Sequence, residues 1–452
     1  MSLPSVKVFR PRLIVEFHTP TAHYRATRLE VDSWEALLRE DILQASVSKT
    51  LAAPAGTFNV ALNGRTGPDG LTWYDRLNPM DLVVIRMQMF DPANPTSTDG
   101  KDRVVMIGLI DNVQDTMSVG AGRVIQIQGR DFGKILLEAV QKWFPTDPES
   151  ILQNEQELIR QKGPSGSPAY LIEWAIRDLL CKTLMKLEFT AYSGTTTAKV
   201  GLERLMRYSL ASTKELIPFT PGLFSFEGPV WNFMEGIVNR PFNELFVDVR
   251  ETIAFDSVVA VSGPVEHTSG PTFVFSDANV GVFLRPTPFD TAAWEALKRS
   301  GHTIDRAEVM EYALGKNDHE VSSVFSVNPT LKIPMDEDWK NLVPPLKAPE
   351  EYRRRYGVKV MEVPIRALET TDETVTKAIQ YAQTLQTRLQ AWYGENEKHE
   401  SGTLRVRGNG KYRIGQRVDL PWRKRAYYLE GVSHSFPVLG EFTTSLTLTR
   451  GH

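Results

Sequence analysis

Through about residue 130 the chain alternates short apolar runs with turn residues. "RLIVEF", "QASVSKTL", "GTFNVALNG", "DLVVIRMQMF", "RVVMIGLIDNV" and "RVIQIQGRD" are rich in β-branched residues, and Gly, Pro, Asn and Asp clusters separate them. That punctuation predicts an all-β sandwich or barrel, with one helix at "DSWEALLRE". The period then changes. Asp131 is placed to cap a helix in which Phe132, Ile135, Leu136, Ala139 and Trp143 recur at helical spacing before Pro145 closes the run. A second helix is predicted from Ser167-Pro168, with Leu171, Ala175, Ile176 and Leu179 on its apolar face. Residues 136–235 thus read as a mainly helical insertion.

Strand character returns with "NELFVDVRE", "PTFVFS" and "VGVFLRPTPF". The rest of 236–365 is mixed and Pro-interrupted, and "MDEDWKNLVPPLKAPEEYRRRYG" reads as a long connection. Residues 366–452 open with a well-defined helix. Thr370 and Glu373 suit a capping box and Gly394 the C′ position. Between them Val375, Ala378, Ala382, Leu385, Leu389 and Trp392 form one narrow apolar seam. Such a seam can lie on a sheet of its own chain or against a neighbouring subunit.

"RVRGNGKYRIG", 405–415, gathers three glycines around Lys411. A phosphate-cradling loop needs Lys-Ser or Lys-Thr followed by a helix. Here Tyr412 comes next, and "YRIGQRVDLPW" reads as another strand. Asn409-Gly410 is instead predicted to turn a β-hairpin. The stretch has an earlier counterpart: "GTLRVRGNG" at 402–410 and "GTFNVALNG" at 56–64 share Gly, Thr, Val, Asn and Gly. Gly56, Asn63 and Gly64 would then correspond to Gly402, Asn409 and Gly410. The segments downstream of each copy keep the same order. "NPMDLVVIRM", "VVMIGLIDNV" and "GAGRVIQIQGRD" are matched by "YRIGQRVDL", "AYYLEGVSH" and "LGEFTTSLTLTRG". Four colinear strands predict a β-domain duplicated at the two ends of the chain, 1–135 and 366–452; recurring hairpin chemistry without common descent is the alternative.

Length adds that 452 residues exceed one ordinary core. A net charge of −3 argues against a dedicated nucleic-acid binder. The single cysteine, Cys181, excludes an intrachain disulfide and reads as a packed residue in an apolar helix. The N-terminal stretch lacks the pattern of a secretory signal, and no apolar run approaches the roughly 18 residues of a membrane span, so no membrane anchor is expected.

"YYLEGVSHSFPVLGEFTTSLTLTRG", "SGTLRVRGNGKYRIGQRV", "QGRDFGKILLE", "RPFNELFVDV" and "VFLRPTPFD" together resemble the baseplate hub proteins of contractile-tailed phages and phage-like injection particles, the late control D group. The resemblance implies a mainly β chain with helical insertions (α+β) and two tail-tube-like antiparallel β-barrels. It also implies a homotrimeric ring, a symmetry adaptor joining a sixfold tail tube to a threefold central spike. Its partners would be the tube and spike proteins, with tape-measure and baseplate wedge proteins nearby and DNA only in transit. Such a protein works in the virion tail after assembly in the bacterial cytoplasm.

Chemistry is sparse. No His-Glu-x-x-His or Gly-x-Ser-x-Gly motif occurs. His302 and His319 lie near Asp305, Asp318 and Glu320 but without ligand spacing on one element. His434 falls on the face of Val432 and Phe436 and reads as a packed histidine. The run Asp336–Asp338 could supply carboxylates for glycoside hydrolysis. "YRRRY" at 352–356 and "WRKR" at 422–425 read as charged loops or as nucleic-acid contacts. The expectation is no catalytic residue, no metal and no cofactor. A tail-associated cell-wall hydrolase and a tail-tip carbohydrate-binding protein are the competing readings.

Overall fold

The computed structural model describes residues 10–29, 40–90, 103–118, 122–143, 176, 180, 187–193, 196–201, 206–211, 226–251, 278–318, 320–329, 339–365 and 372–452. The helix expected at "DSWEALLRE", most of the one expected from Ser167, Cys181, His319 and the Asp336–Asp338 run lie outside the described residues, as do Thr370 and the Val375 side chain.

The N-terminal part contributes β1 (Arg10–His18), β2 (His23–Leu29), β3 (Ile42–Thr50), β4 (Thr57–Asn63), helix α1 (Trp73–Arg76), β5 (Leu82–Phe90), β6 (Arg103–Ser118) and β7 (Gly122–Asp131). A short helix α2 (Gly133–Glu138) is followed by β8 (Val140–Trp143), β9 (Glu188–Ser193), β10 (Thr196–Gly201), β11 (Met206–Leu210) and β12 (Phe226–Pro229). Next come α3 (Val230–Ile237), β13 (Asn243–Glu251), β14 (Ala278–Pro286), α4 (Thr291–Leu297), β15 (His302–Thr303) and β16 (Val309–Gly315). After them stand β17 (Val324–Pro329), α5 (Trp339–Leu342), β18 (Leu346–Lys347), α6 (Glu350–Tyr356), β19 (Val360–Ile365) and α7 (Asp372–Tyr393). The chain ends with β20 (Glu400–Arg407), β21 (Arg417–Leu420), β22 (Arg425–Phe436) and β23 (Thr443–Gly451).

The protein is mainly β, and one 13-stranded sheet dominates it, in the order β16-β20-β23-β22-β3-β4-β7-β6-β5-β1-β2, with β21 and β15 attached beside β22. Two barrels were expected. Among the described residues no ladder closes either half, and the halves are one sheet joined where β22 pairs with β3. The N-terminal half does return on itself: buried Arg28 of β2 donates to the Leu43 carbonyl of β3 and, at 2.6 Å, to the Val438 carbonyl.

Each half keeps its own core. Leu13, Val15, Phe17, Val47, Phe58, Val60 and Ile85 pack in the first, with Phe436 and Phe442 reaching in from the second. Leu404, Val406, Val418, Leu420, Tyr427, Leu429, Leu446 and Leu448 fill the other. Complete burial of such side chains stabilises by roughly 1.5–3 kcal/mol each. The opposite face of β5 and β6, with Leu82, Val84, Ile107 and Leu109, is covered by α3 and by the small sheet β11-β14-β13. Hence Leu82–Ile85 of β5 and Val104–Ile110 of β6 read as unbroken apolar runs, apolar on both faces.

Within 136–235, expected to be mainly helical, the described residues include strands as well as helix. Trp143 lies on β8, which pairs with β12, and β9 pairs with β10. The Phe132–Trp143 helix is therefore one short turn of helix and a strand, because the β12 edge captures the chain after Ala139.

Candidate functional site

The feature that sets this fold apart is its seam. The first half of β22 pairs with β21 (Leu420↔Arg425 to Arg417↔Tyr428), the second half with β3 (Gly431↔Thr50 to Phe436↔Ala45). Between them the β22–β23 register slips at Glu430. A bulge inserts one residue, bends the strand and turns its outer edge to a new partner. The Glu430 carbonyl accepts the Leu51 N–H at 2.9 Å, so the bulge itself is tied to the end of β3. Gly431 fits there because a Cβ would press on Thr447 Oγ1 at 3.0 Å.

The same construction occurs in the N-terminal half. Strands β4-β7-β6-β5 and β20-β23-β22-β21 share one order, antiparallel throughout. In the first, the β6–β7 register slips at Asp111, between Ile110↔Gly129 and Asn112↔Gln128. In the second it slips at Glu430, between Leu429↔Leu448 and Gly431↔Thr447. A second bulge also recurs, at Leu43 where β3 joins β4 and at Met310 where β16 joins β20. Two shared bulges in two sheets of one order make these structural repeats.

The bulges also fix the residue correspondence, and it differs from the one expected. Taking Asp111 with Glu430, Ile127 falls with Leu446, and their partners Val60 and Leu404 fall together. The "GTFNVALNG"/"GTLRVRGNG" identities are therefore two residues out of structural register. Nor do their Asn-Gly pairs turn hairpins. β4 pairs with β3 and β7, and β20 with β16 and β23, so neither pairs with the strand next in sequence. A type I′ turn needs positive φ at both positions, and none of Asn63, Gly64, Asn409 and Gly410 has it. Asn409 lies two residues past β20, its N–H on Thr444 Oγ1 at 3.0 Å, while its Oδ1 accepts from Lys411 N–H at 3.1 Å. Gly410 lies where a Cβ would stand 2.7 Å from the Met87 carbonyl oxygen, so glycine permits the second repeat to approach β5.

Asp131 ends β7, and its Oδ1 accepts the Gly133 N–H at 2.9 Å at the mouth of α2. Its Oδ2 accepts the Gly56 N–H at 2.9 Å and pairs with Lys49 of β3. Burial raises the Asp131 pKa against the pull of Lys49. Gly402 has φ +147° and a Cβ there would lie 1.9 Å from the Ala313 carbonyl oxygen. Only glycine allows β16 to sit so near β20 at that point.

Beside the seam, Arg285 donates to Glu244 Oε2 at 3.0 Å, to the Tyr428 hydroxyl at 2.7 Å and to the Gly415 carbonyl at 2.7 Å. The Tyr428 hydroxyl in turn donates to Glu244 at 2.6 Å. Burial holds the tyrosine well above its usual range. This carboxylate is occupied by two partners and fastens β13 and β14 to β22.

Other expected sites resolve into structure. His434 is buried, Nδ1 3.0 Å from Thr444 Oγ1, and burial lowers its pKa to about 3. His302 bonds to Gln416 at 2.9 Å, with its pKa lowered to about 4 by burial. Among the described residues no cluster of His, Cys, Asp and Glu could hold a metal, and no helix is long and apolar enough to cross a membrane. Arg423 and Arg425 of "WRKR" both reach Glu400, at 2.8 and 3.4 Å. In "YRRRY", Arg354 pairs with Glu350, and the Tyr352 hydroxyl donates to Glu397 at 2.7 Å. Ala382, Leu385, Leu389 and Trp392 of α7 are buried against Phe325, Val327, Val363 and Phe242. The described part of this helix's apolar seam packs within its own chain, on the sheet β18-β17-β19.

No family model and no curated protein matches the sequence. Solved structures do. The 43 kDa tail protein of prophage MuSo2 from Shewanella oneidensis is 10% identical, with a TM-score of 0.50 over 97% of this chain and 98% of that one. The tail protein from Neisseria meningitidis MC58 is 11% identical, with a TM-score of 0.48 over 97% and 96%. The Escherichia coli c3393 protein, a component of the type VI secretion system, is 7% identical, with a TM-score of 0.40 over 90% and 73%. The Shewanella likeness establishes a shared fold along almost the whole of both chains.

Proposed function

We propose that this chain is a structural hub of a contractile tail or related injection particle. It forms a trimeric ring between a sixfold tube and a threefold spike. The observation that carries the reading is the fused repeat. Two halves of one sheet, sharing one strand order and two bulges, are joined edge to edge in one chain. Three such chains present six equivalent modules to a sixfold tube, while their unlike middle domains keep threefold symmetry. The shared fold with a phage tail protein supports the same reading.

The role proposed is non-enzymatic, with DNA crossing the ring only in transit. A net charge of −3 suits a lumen that does not retain a polyanion. Light scattering, alone and with tube and spike proteins, tests the proposal. A trimer that binds tube protein is expected. A chain that stays monomeric beside both partners overturns it. A zymogram on host peptidoglycan is expected to be blank.

A further inference from the structure

The repeat correspondence exposes an asymmetry. In the second repeat, β22 beyond its bulge is covered on its outer edge by β3, and Val432, His434 and Phe436 are buried. In the first repeat the matching stretch is Asn112–Met117 of β6. Beyond Ile110, whose N–H and carbonyl bond to residues 81 and 80, no strand among the described residues pairs with that edge. Asn112, Gln114, Asp115 and Met117 are exposed, Met117 at 83%.

The strand that would cover it is also present, with one edge unpaired among the described residues. β3 is flanked by β4 and β22, whereas its counterpart β16 pairs only with β20 and ends the sheet among the described residues. Met310, Glu311, Tyr312 and Ala313 are exposed there, Tyr312 at 41%. Among the described residues one repeat thus has an open acceptor edge and the other an open donor edge, and the corresponding edges are paired where the repeats meet within the chain.

We infer that β16 of a second copy pairs antiparallel with the outer edge of β6 beyond Asp111, repeating between chains the β3–β22 joint found within each chain. This deepens, and rests on, the proposed ring. The intrachain register supplies the interchain one. Asp111 takes the place of Glu430, and Met310 that of Leu43. Phe436↔Ala45 then becomes Met117↔Tyr312, Ser435↔Ser46 becomes Thr116↔Ala313, His434↔Val47 becomes Asp115↔Leu314, and Val432↔Lys49 becomes Val113↔Lys316.

The chemistry suits that register. The exposed Met117 meets an aromatic ring, a favourable cross-strand pair. Lys316 stands diagonal to Asp115, and lysine recurs at the place held by Lys49 in the filled joint. The open edges also need covering, since an unpaired edge templates uncontrolled association. The joint is head to tail, second repeat to first, so it closes into a ring when the rotation closes.

Paired cysteines test the register. In a Met117→Cys, Tyr312→Cys chain the two sulfurs of neighbouring copies face each other within disulfide reach. Mild oxidation is expected to give a covalent trimer on a non-reducing gel, while either single substitution gives none. In Val113→Cys, Tyr312→Cys the partners stand four residues out of register, roughly 13 Å apart, and no bond is expected. A trimer by light scattering that does not cross-link at Met117 and Tyr312, or cross-links equally out of register, overturns the pairing and leaves the ring reading standing. A monomer that stays so with tube and spike proteins overturns both.

Discussion

His434 stands directly across the seam from Val47, and its Nδ1 lies 3.0 Å from Thr444 Oγ1. The imidazole is thus enclosed where one repeat meets the other, neutral, with a pKa near 3 set by burial and then by the Arg413 charge.

That enclosure makes stability pH-dependent. The folded pKa is below the unfolded value of about 6.5, so on acidification the unfolded chain takes up a proton that the folded chain refuses. The contribution is whole above about 6.5 and is lost as pH falls toward about 3. Urea midpoints measured from about pH 7 down to about pH 4.5 should fall, and His434→Gln should shallow the slope by about one proton. Asp81, raised to about 6 by burial, titrates with the opposite sign. The difference between wild type and variant therefore isolates the histidine. An unchanged slope would refute its role.

Lys49→Met should cost about 3–5 kcal/mol, because it strands the Asp131 carboxylate in a buried site. The variant should regain stability as pH falls, since protonation relieves a carboxyl whose pKa burial raises. Chemical denaturation at two pH values measures both effects.

Gly402→Ala should release β16 from β20. The new Cβ meets the Ala313 carbonyl, and φ of +147° strains any other residue. Hydrogen exchange across 309–315 should quicken while β3 and β4 stay protected.

Leu389→Ala should lower stability by about 2–5 kcal/mol through a core cavity and leave the copy number unchanged, because α7 packs within its chain. A loss of trimer at full stability would restore the helix to an interface role.

The arginines of "WRKR" are committed to Glu400. No mobility shift with duplex DNA is expected at physiological salt, and a tight shift would contradict the transit role.

Much of the strand content was legible because β-branched runs and turn residues report local preference. The order of the duplicated strands was legible for the same reason, each being an alternating segment with its own turn. Residue register was not. The Gly-Thr and Asn-Gly identities reflect strand-end chemistry, whereas Asp111 and Glu430 set the register as single inserted residues that leave no periodicity behind. Trp143 misled because an apolar run suits a short helix and a strand alike. The spacing of Leu385, Leu389 and Trp392 gave the helix correctly but carried no information about its partner. Pairing of β3 with β22 joins opposite ends of the chain, beyond the reach of any sequence window.

That last pairing has a consequence for synthesis. Ala45 meets Phe436, and Arg28 donates to the carbonyl of a residue 410 positions later. The first repeat is synthesised before the second, so the outer edge of β3 stays bare until β22 has been translated. During that interval a nascent chain carries an open strand that another nascent chain's β22 could fill as well as its own. The β3–β22 joint is thus one that each chain completes only after its second repeat has been made.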